Sequence, residues 1–357
     1  MNKIIMFIVL LLILTACSSK NNDSTKPIEE QDSLEMTSSA AEALATNLHI
    51  PWMITKHEDT FYISQREGKI IEVDLESQHP KDHNLILTKD VLHEGEGGLL
   101  GFLLAPDFET SQLAYIYHTY READMIKNRI VTLQKRENTW YETKELLADI
   151  PGARNHNGGR MKIGPDGLLY VTTGDAAIPE LSQDKKSLAG KILRMTLDGE
   201  IPTDNPFDQS YVYSFGHRNP QGLAWDDKGN LYSTEHGQSA HDEINFIEPG
   251  NNYGWPVIEG DEEETGMTKP LFHTAETTWA PSGLEYHDGK LYIATLRGSS
   301  IRSYDLTDQS VDTIHEGSGR MRDIYIEDNT LFTITNNLDG RGQPSDDDDQ
   351  LLRIKLD

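Results

Sequence analysis

Cysteine is nearly absent from this chain: Cys17 is the only one in 357 residues. Intrachain disulfides are therefore excluded, and the fold must rest on its packed core. Basic residues are scarce as well. Lys and Arg number 32 against 59 Asp and Glu, for a formal net charge of −27. Neutralising phosphates needs a basic surface, so nucleic acid is excluded as a partner. Tight binding of the folded domain to anionic lipid headgroups is disfavoured on the same ground. Hydrophobic residues make up only 36%, which is compatible with an all-β protein whose strands bury one face. There is no phosphate-binding glycine loop, no serine nucleophile elbow and no nicotinamide fingerprint.

Long apolar runs are missing too, apart from Ile4 to Leu14, which is too short to span a bilayer. That run follows Lys3 and ends in Leu14-Thr15-Ala16-Cys17, so residues 1–16 have the form of a signal peptide. Small residues just before a lone cysteine resemble a bacterial lipobox. The resemblance implies cleavage before Cys17 and lipidation of that residue. The expectation is a protein held at the cell membrane through a lipid anchor on Cys17 alone, facing outside the cytoplasm. Residues 17–40 are polar, lack periodicity and read as a flexible tether. The remaining domain spans 41–357.

What the domain does contain is a repeat. A short apolar strand is followed by a turn with Asp, Asn or Gly, then by an aromatic strand. The aromatic strands are Phe61-Tyr62-Ile63, Ala114-Tyr115-Ile116-Tyr117, Leu169-Tyr170-Val171, Leu231-Tyr232-Ser233, Leu291-Tyr292-Ile293 and Leu331-Phe332-Thr333. Turns such as Gly164-Pro165-Asp166-Gly167 and His287-Asp288-Gly289-Lys290 are hairpin signals, because Gly, Asn and Asp accept positive φ cheaply. The spacing of about 40 to 60 residues is that of propeller blades. The expected fold is all-β, a six-bladed β-propeller, with its first and last strands sharing a blade. Loops from all blades then surround one channel, and a site is expected at one end of it.

Two clusters at strand ends have the composition of a cofactor site. One is Asn155-His156-Asn157-Gly158-Gly159-Arg160, which sets a histidine between two amides. The other is Phe215-Gly216-His217-Arg218-Asn219-Pro220-Gln221-Gly222, which supplies a cation and an amide. An imidazole titrates near neutral pH and can take a hydroxyl proton.

Several motifs, read in chain order, resemble the soluble quinoprotein sugar dehydrogenases, the glucose/sorbosone dehydrogenase group that binds pyrroloquinoline quinone. They are Glu96-Gly97-Gly98-Leu99-Leu100-Gly101-Phe102, the His156 cluster, Gly190-Lys191-Ile192-Leu193-Arg194, the Arg218 cluster, Glu235-His236-Gly237, Asp242-Glu243-Ile244-Asn245, Asn252-Tyr253-Gly254-Trp255-Pro256 and Arg320-Met321-Arg322-Asp323. The resemblance covers about residues 45 to 357. It implies oxidation of an aldose sugar, with His156 as general base while hydride leaves the adjacent carbon for the quinone. The reduced cofactor would pass electrons to an unidentified acceptor.

The same resemblance implies roles for other residues. Arg218, Arg320 and Arg322 fall on cofactor-contacting positions, and arginine forks suit the three carboxylates of the quinone. Arg297 falls where relatives often carry lysine. Glu96 and Asn219 are expected cofactor or substrate contacts. Calcium is implied at the backbone carbonyls of Gly237 and Gln238, and a second calcium at Glu243 and Tyr253, with Asp242 assisting. Gln238 departs from the proline common in relatives. Asn155 departs from an acidic residue; an amide can orient a donor but cannot stabilise an imidazolium as a carboxylate does. The acidic run Asp346 to Asp349 reads as a solvated loop or a further cation site. Trp52, Trp225, Trp255 and Trp279 fit core or rim better than a sugar-stacking platform. Two other readings stay open at this point: a calcium-dependent sugar lactonase, and a non-catalytic propeller that binds glycans or a protein. The stretch between Trp255 and Trp279 is shorter than in glucose-oxidising relatives, so a more open site is expected.

Overall fold

The computed structural model describes residues 41–356. Cys17, the leader over 1–16 and the tether over 17–40 lie outside the described residues. The rest is all-β apart from two short helical turns, Phe108–Ser111 and Pro179–Ser182. Among the described residues no helix is long and apolar enough to cross a membrane.

Strand β1 (Glu42–Ala45) stands apart from its sequence neighbours. A first antiparallel set follows: β2 (Pro51–His57), β3 (Thr60–Gln65), β4 (Lys69–Asp74) and β5 (Lys81–Ile86). A second set is β6 (Leu99–Leu104), β7 (Leu113–Glu122), β8 (Met125–Arg136) and β9 (Thr139–Pro151). The two sets join through parallel pairing of β5 with β9 into one eight-stranded sheet. Next come β10 (Met161–Ile163), β11 (Leu169–Thr173), β12 (Lys191–Met195) and β13 (Val212–Phe215), then β14 (Pro220–Trp225), β15 (Leu231–Glu235), β16 (Glu243–Ile247) and β17 (Phe272–His273). The set β18 (Pro281–His287), β19 (Lys290–Thr295), β20 (Ser300–Asp305) and β21 (Val311–Glu316) forms another sheet. The last sheet comprises β22 (Met321–Glu327), β23 (Thr330–Thr335), β24 (Leu351–Lys355) and the returning β1. First and last strands thus share a sheet, with Glu42 opposite Arg353.

Every aromatic strand read from the sequence is the second strand of its set. First strands meet their neighbours in order, β2 on β6, β6 on β10, β14 on β18, β18 on β22, and β22 back on β2, while β14 meets β11. In an antiparallel set, the start of the first strand and the end of the second lie at one edge. Residues before β6, β10, β14 and β22 are therefore collected with residues after β11, β15, β19 and β23. That edge is where the motifs fall.

The expectation that strands bury one face only is corrected by the burial pattern. All five residues of β11 and all five of β15 are buried. Each second strand has a neighbouring sheet on both sides, and the chain fills those positions with small hydroxyl residues. Thr173 Oγ1 donates to Leu188 O at 2.6 Å, Thr234 Oγ1 to Ser282 O at 2.8 Å, and Thr333 Oγ1 to Asp323 O at 2.8 Å. A buried hydroxyl with a backbone acceptor avoids the cost of desolvation. Low hydrophobic content is thereby compatible with deep burial. At the seam of the eight-stranded sheet an aromatic cluster does the packing, with Phe102 edge-on to Trp140 at 5.2 Å and Tyr62 at 6.0 Å.

One buried ion pair ties three sets together. Arg160, just before β10, faces Asp323 of β22 at 2.8 Å, and the other Asp323 oxygen accepts from the Ile54 N–H of β2 at 2.8 Å. Removing the charge of one buried partner leaves the other uncompensated, at about 3–5 kcal/mol. Asp323→Asn keeps the side-chain volume. It is expected to lower the unfolding free energy by about 3–5 kcal/mol in urea titration; an unchanged midpoint would refute the tie.

Candidate active site

His156 precedes β10 and adopts a positive φ of 61°. That left-handed conformation is costly for a residue with a Cβ and is kept only where surrounding contacts enforce it. Two contacts do so. Its backbone N–H donates to Glu96 Oε2 at 3.1 Å, and its Nδ1 meets Asp175 Oδ1 at 2.7 Å. Gly174 makes this approach possible, because a Cβ there would stand 2.1 Å from His156 O. Asp175 is fully buried, and its carboxylate also accepts the Ala177 N–H at 2.8 Å and the Trp255 Nε1–H at 2.9 Å. With Nδ1 engaged, Nε2 is the ring nitrogen left for chemistry.

Asn155, expected to orient the histidine, is exposed, and among the described residues its side chain makes no hydrogen bond. Asp175 holds the ring instead. It lies nineteen positions further on in sequence, at the end of β11. Gly174-Asp175 lies beyond the motif in sequence, whereas Asn155 adjoins the histidine. An acid following a strand-ending glycine was the available signal.

The Arg218 cluster is built on Glu235, the last residue of β15. Its Oε1 accepts from the backbone N–H groups of Arg218 and, at 3.1 Å, Asn219. Its Oε2 meets His217 Nδ1 at 2.9 Å, and His217 Nε2 contacts Ser214 Oγ at 2.8 Å. Asn219 Oδ1 in turn accepts the Gly158 N–H at 3.1 Å, which joins the two sequence clusters. The Arg218 guanidinium lies 5.3 Å from the centre of the Trp255 ring and donates to His236 O at 3.2 Å.

Cations gather around a cleft of about 580 Å³ lined by Arg297, Arg320, Asn337, Arg341 and Gln343 among others. A narrower recess shares Leu296 and Arg341 with it and is floored by Trp52, Arg66, Glu96, Gln221, His236 and Arg322. Among the described residues Arg322 pairs with no carboxylate: it donates to Asn336 Oδ1 at 2.9 Å, Gln221 Oε1 at 2.8 Å and Ser282 Oγ at 3.3 Å. Burial, together with Arg320, Arg66 and Arg160 nearby, lowers it to about 9. Arg320 pairs with Asp339 at 2.8 Å. A bulge between Met321 and Asp323 separates the surroundings of the two arginines, and Arg320 lines the cleft while Arg322 lines the recess. Arg297 is exposed at the rim. Arg66, Arg341, Asp175 and His236 were not read as site residues from sequence. Burial drives His236 down to about 4, so it is neutral at neutral pH.

The donors present fit an anionic, oxygen-rich cofactor. Arg218 Nε, Asn219 Nδ2, His236 Nε2 and Arg320 Nε are buried without a hydrogen-bond partner. Such groups are expensive to bury unless a ligand satisfies them.

The calcium positions divide. Gly237 N–H donates to Asp242 Oδ1 at 3.0 Å and Gln238 N–H to Glu259 Oε1 at 3.2 Å, while among the described contacts neither carbonyl accepts a hydrogen bond. Two consecutive open carbonyls suit a hard cation. Burial and the nearby Glu235 carboxylate push Glu243 up to about 8, a charge conflict that a cation would relieve. Tyr253 fits less directly, since its hydroxyl donates to Phe246 O at 2.6 Å and accepts from Glu248 N–H at 2.9 Å. Asp242 is committed to backbone, with Oδ2 accepting from Trp279 N–H at 2.6 Å and Ala280 N–H at 2.8 Å. It shapes the loop. Among the described residues no group of three or more His, Cys, Asp or Glu is arranged as a metal site. From the acidic run, Asp349 is buried and accepts the Asn337 N–H at 2.5 Å, so it is a loop anchor and not a solvated acid.

Glu96 yields a pH test. Burial alone would raise it, but the His156 N–H and Arg341, at 2.9 Å, hold it down near 2 against an ordinary 4.5. Its contribution to stability is full above pH about 4.5 and is lost as pH falls through about 2. Glu96→Gln is expected to be less stable at neutral pH, with the gap to wild type closing across that window in urea titrations. A gap independent of pH would contradict this.

Comparison with known proteins supplies the family. The model of the glucose/sorbosone dehydrogenase family matches residues 48–352, and a prokaryotic membrane lipoprotein lipid attachment site matches residues 1–18. Quinoprotein glucose dehydrogenase B of Acinetobacter calcoaceticus is 33% identical over 266 residues, covering 65% of this chain and 55% of that protein. The chain thus spans about half the length of that relative. An aldose sugar dehydrogenase of Escherichia coli is 28% identical, covering 70% of this chain and 77% of its own. Among solved structures, the pyrroloquinoline-quinone-bound aldose sugar dehydrogenase of Streptomyces coelicolor superposes with a TM-score of 0.83 at 37% identity, covering 89% of this chain and 98% of that one. The chain belongs to the glucose/sorbosone dehydrogenase family.

Proposed function

We propose that this protein is a six-bladed β-propeller that oxidises aldose sugars with pyrroloquinoline quinone and calcium. It would act outside the cytoplasm, tethered through a lipid on Cys17. The observation that carries the reading is the buried Asp175–His156 contact, at 2.7 Å, standing beside a cleft with arginines and unpartnered buried donors. The names of the relatives agree with it.

Bound pyrroloquinoline quinone supplies the two-electron acceptor for hydride from the carbinol carbon. Arg66, Arg218, Arg320, Arg322 and Asn219 would hold its carboxylates and carbonyls by charge-assisted hydrogen bonds. The carbonyls of Gly237 and Gln238 would hold calcium. His156 Nε2 takes the sugar hydroxyl proton, and Asp175 stabilises the imidazolium that results. The wide arginine-lined cleft leaves room for more than one monosaccharide. The electron acceptor is a separate partner of unassigned identity. A lactonase would have no use for this set of buried cations, and a binding module none for an oriented base.

The test is titration of a 40–357 domain with pyrroloquinoline quinone and Ca²⁺, then glucose, followed by absorbance. Stoichiometric binding and a sugar-dependent reduced spectrum are expected. His156→Ala should retain cofactor binding and lose at least about 10²-fold in kcat/KM, the contribution of a general base. A retained rate would remove His156 from the mechanism, and absence of binding would remove the dehydrogenase reading.

A further inference from the structure

Among the described residues the two oxygens of Asp175 have three hydrogen-bond partners. Oδ1 faces His156 Nδ1 and the Ala177 N–H, and Oδ2 faces the Trp255 indole N–H. The indole is the sole hydrogen-bond partner of Oδ2 among the described residues. Its ring face meets Arg218, with the guanidinium 5.3 Å from the ring centre. One side chain therefore touches both the acid behind the base and a cation that donates to His236 O, a residue of the recess.

The indole is fixed by a frame of its own. Trp255 N–H donates to Gly216 O at 2.9 Å, and Trp255 O accepts from Gln183 Nε2 at 2.7 Å. The Gln183 amide exchanges hydrogen bonds with Asn252, at 3.0 and 2.8 Å. The turn bearing Gln183 is clamped by the buried Lys191 ammonium, which donates to Leu181 O at 2.9 Å, Ser182 O at 3.0 Å and Ala189 O at 2.5 Å. An indole held in this way cannot follow Asp175 if the carboxylate turns, so it selects one carboxylate orientation.

We infer that Trp255 is a positioning residue that sets the proton affinity of His156 through Asp175 and the placement of Arg218 through its ring. The inference rests on the reading of His156 as base, but its test does not need the cofactor. An N–H donor spreads the carboxylate charge. Without it, Asp175 accepts more strongly from an imidazolium, and His156 keeps its proton to higher pH. The other charged groups facing His156 are Glu96, with Arg341 behind it, and Arg218 beyond the indole. None of them changes in the variant.

The experiment is NMR titration of His156 in the protein without cofactor, in wild type and Trp255→Phe. Phe keeps an aromatic face for Arg218 and removes the N–H. The His156 midpoint is expected to rise by about one unit in Trp255→Phe, while affinity for pyrroloquinoline quinone stays within about twofold. Trp255→Leu removes the ring as well, and its cofactor affinity should fall by about tenfold. In wild type the indole Nε1–H resonance should move with the His156 midpoint, a measurement that requires no variant to fold. An identical His156 midpoint in Trp255→Phe, or an indole resonance blind to it, would overturn the coupling to the base. Unchanged cofactor affinity in Trp255→Leu would overturn the coupling to Arg218. Failure of wild type to bind the cofactor would instead count against the dehydrogenase reading.

Discussion

The structure depends on keeping positive charge buried at the centre of an acidic protein. Arg160 and Arg322 lie over the Trp52 ring at 4.5 and 5.9 Å, and only Arg160 has a carboxylate, Asp323. A buried guanidinium without a counter-charge is costly. Here the cost is offset by an aromatic face and by the side-chain oxygens of Asn336, Gln221 and Ser282. Those groups come from β2, β14 and β18 and from the residue that follows β23. The contacts that make the charge tolerable are the contacts that hold the sheets in register around it.

Much of this was legible in the sequence. The aromatic strands repeat because each is a second strand packed on both faces, and the hairpin turns announce themselves through Gly and Asp. The site motifs were legible because each is a short run at a strand end, with its chemistry contained in a few adjacent letters. What escaped was chemistry assembled across the edge. Asp175 reaches His156 only because Gly174 lets two backbones approach, and no local pattern states that. Arg66 and Arg341 enter from loops of different sheets, and His236 becomes a cleft residue through burial that composition does not record. Asn155 shows the complementary case: the residue next to His156 in sequence is exposed at a positive-φ turn and, among the described residues, makes no hydrogen bond with the ring.

The calcium positions show how far a family motif can be carried. The groups that the family resemblance implies for calcium at Gly237 and Gln238 are main-chain carbonyls, so a glutamine in place of proline leaves them present provided Asp242 and Glu259 keep their hold on the two N–H groups. Burial first, and then the Glu235 carboxylate, raise the Glu243 carboxyl. Asp242, which sequence grouped with the ligands, is the scaffold of the loop.

The pairing of β1 with β24 has a consequence for biogenesis. Glu42 lies opposite Arg353, 311 positions apart, so the final sheet stays incomplete until β24 has left the ribosome. Earlier sheets draw their strands from contiguous sequence and can form as they emerge, whereas the closing one waits on a long-range encounter and is slow on entropic grounds. Until then β23 presents a bare edge to any chaperone or neighbouring chain, and pairing with β24 is the step that covers it.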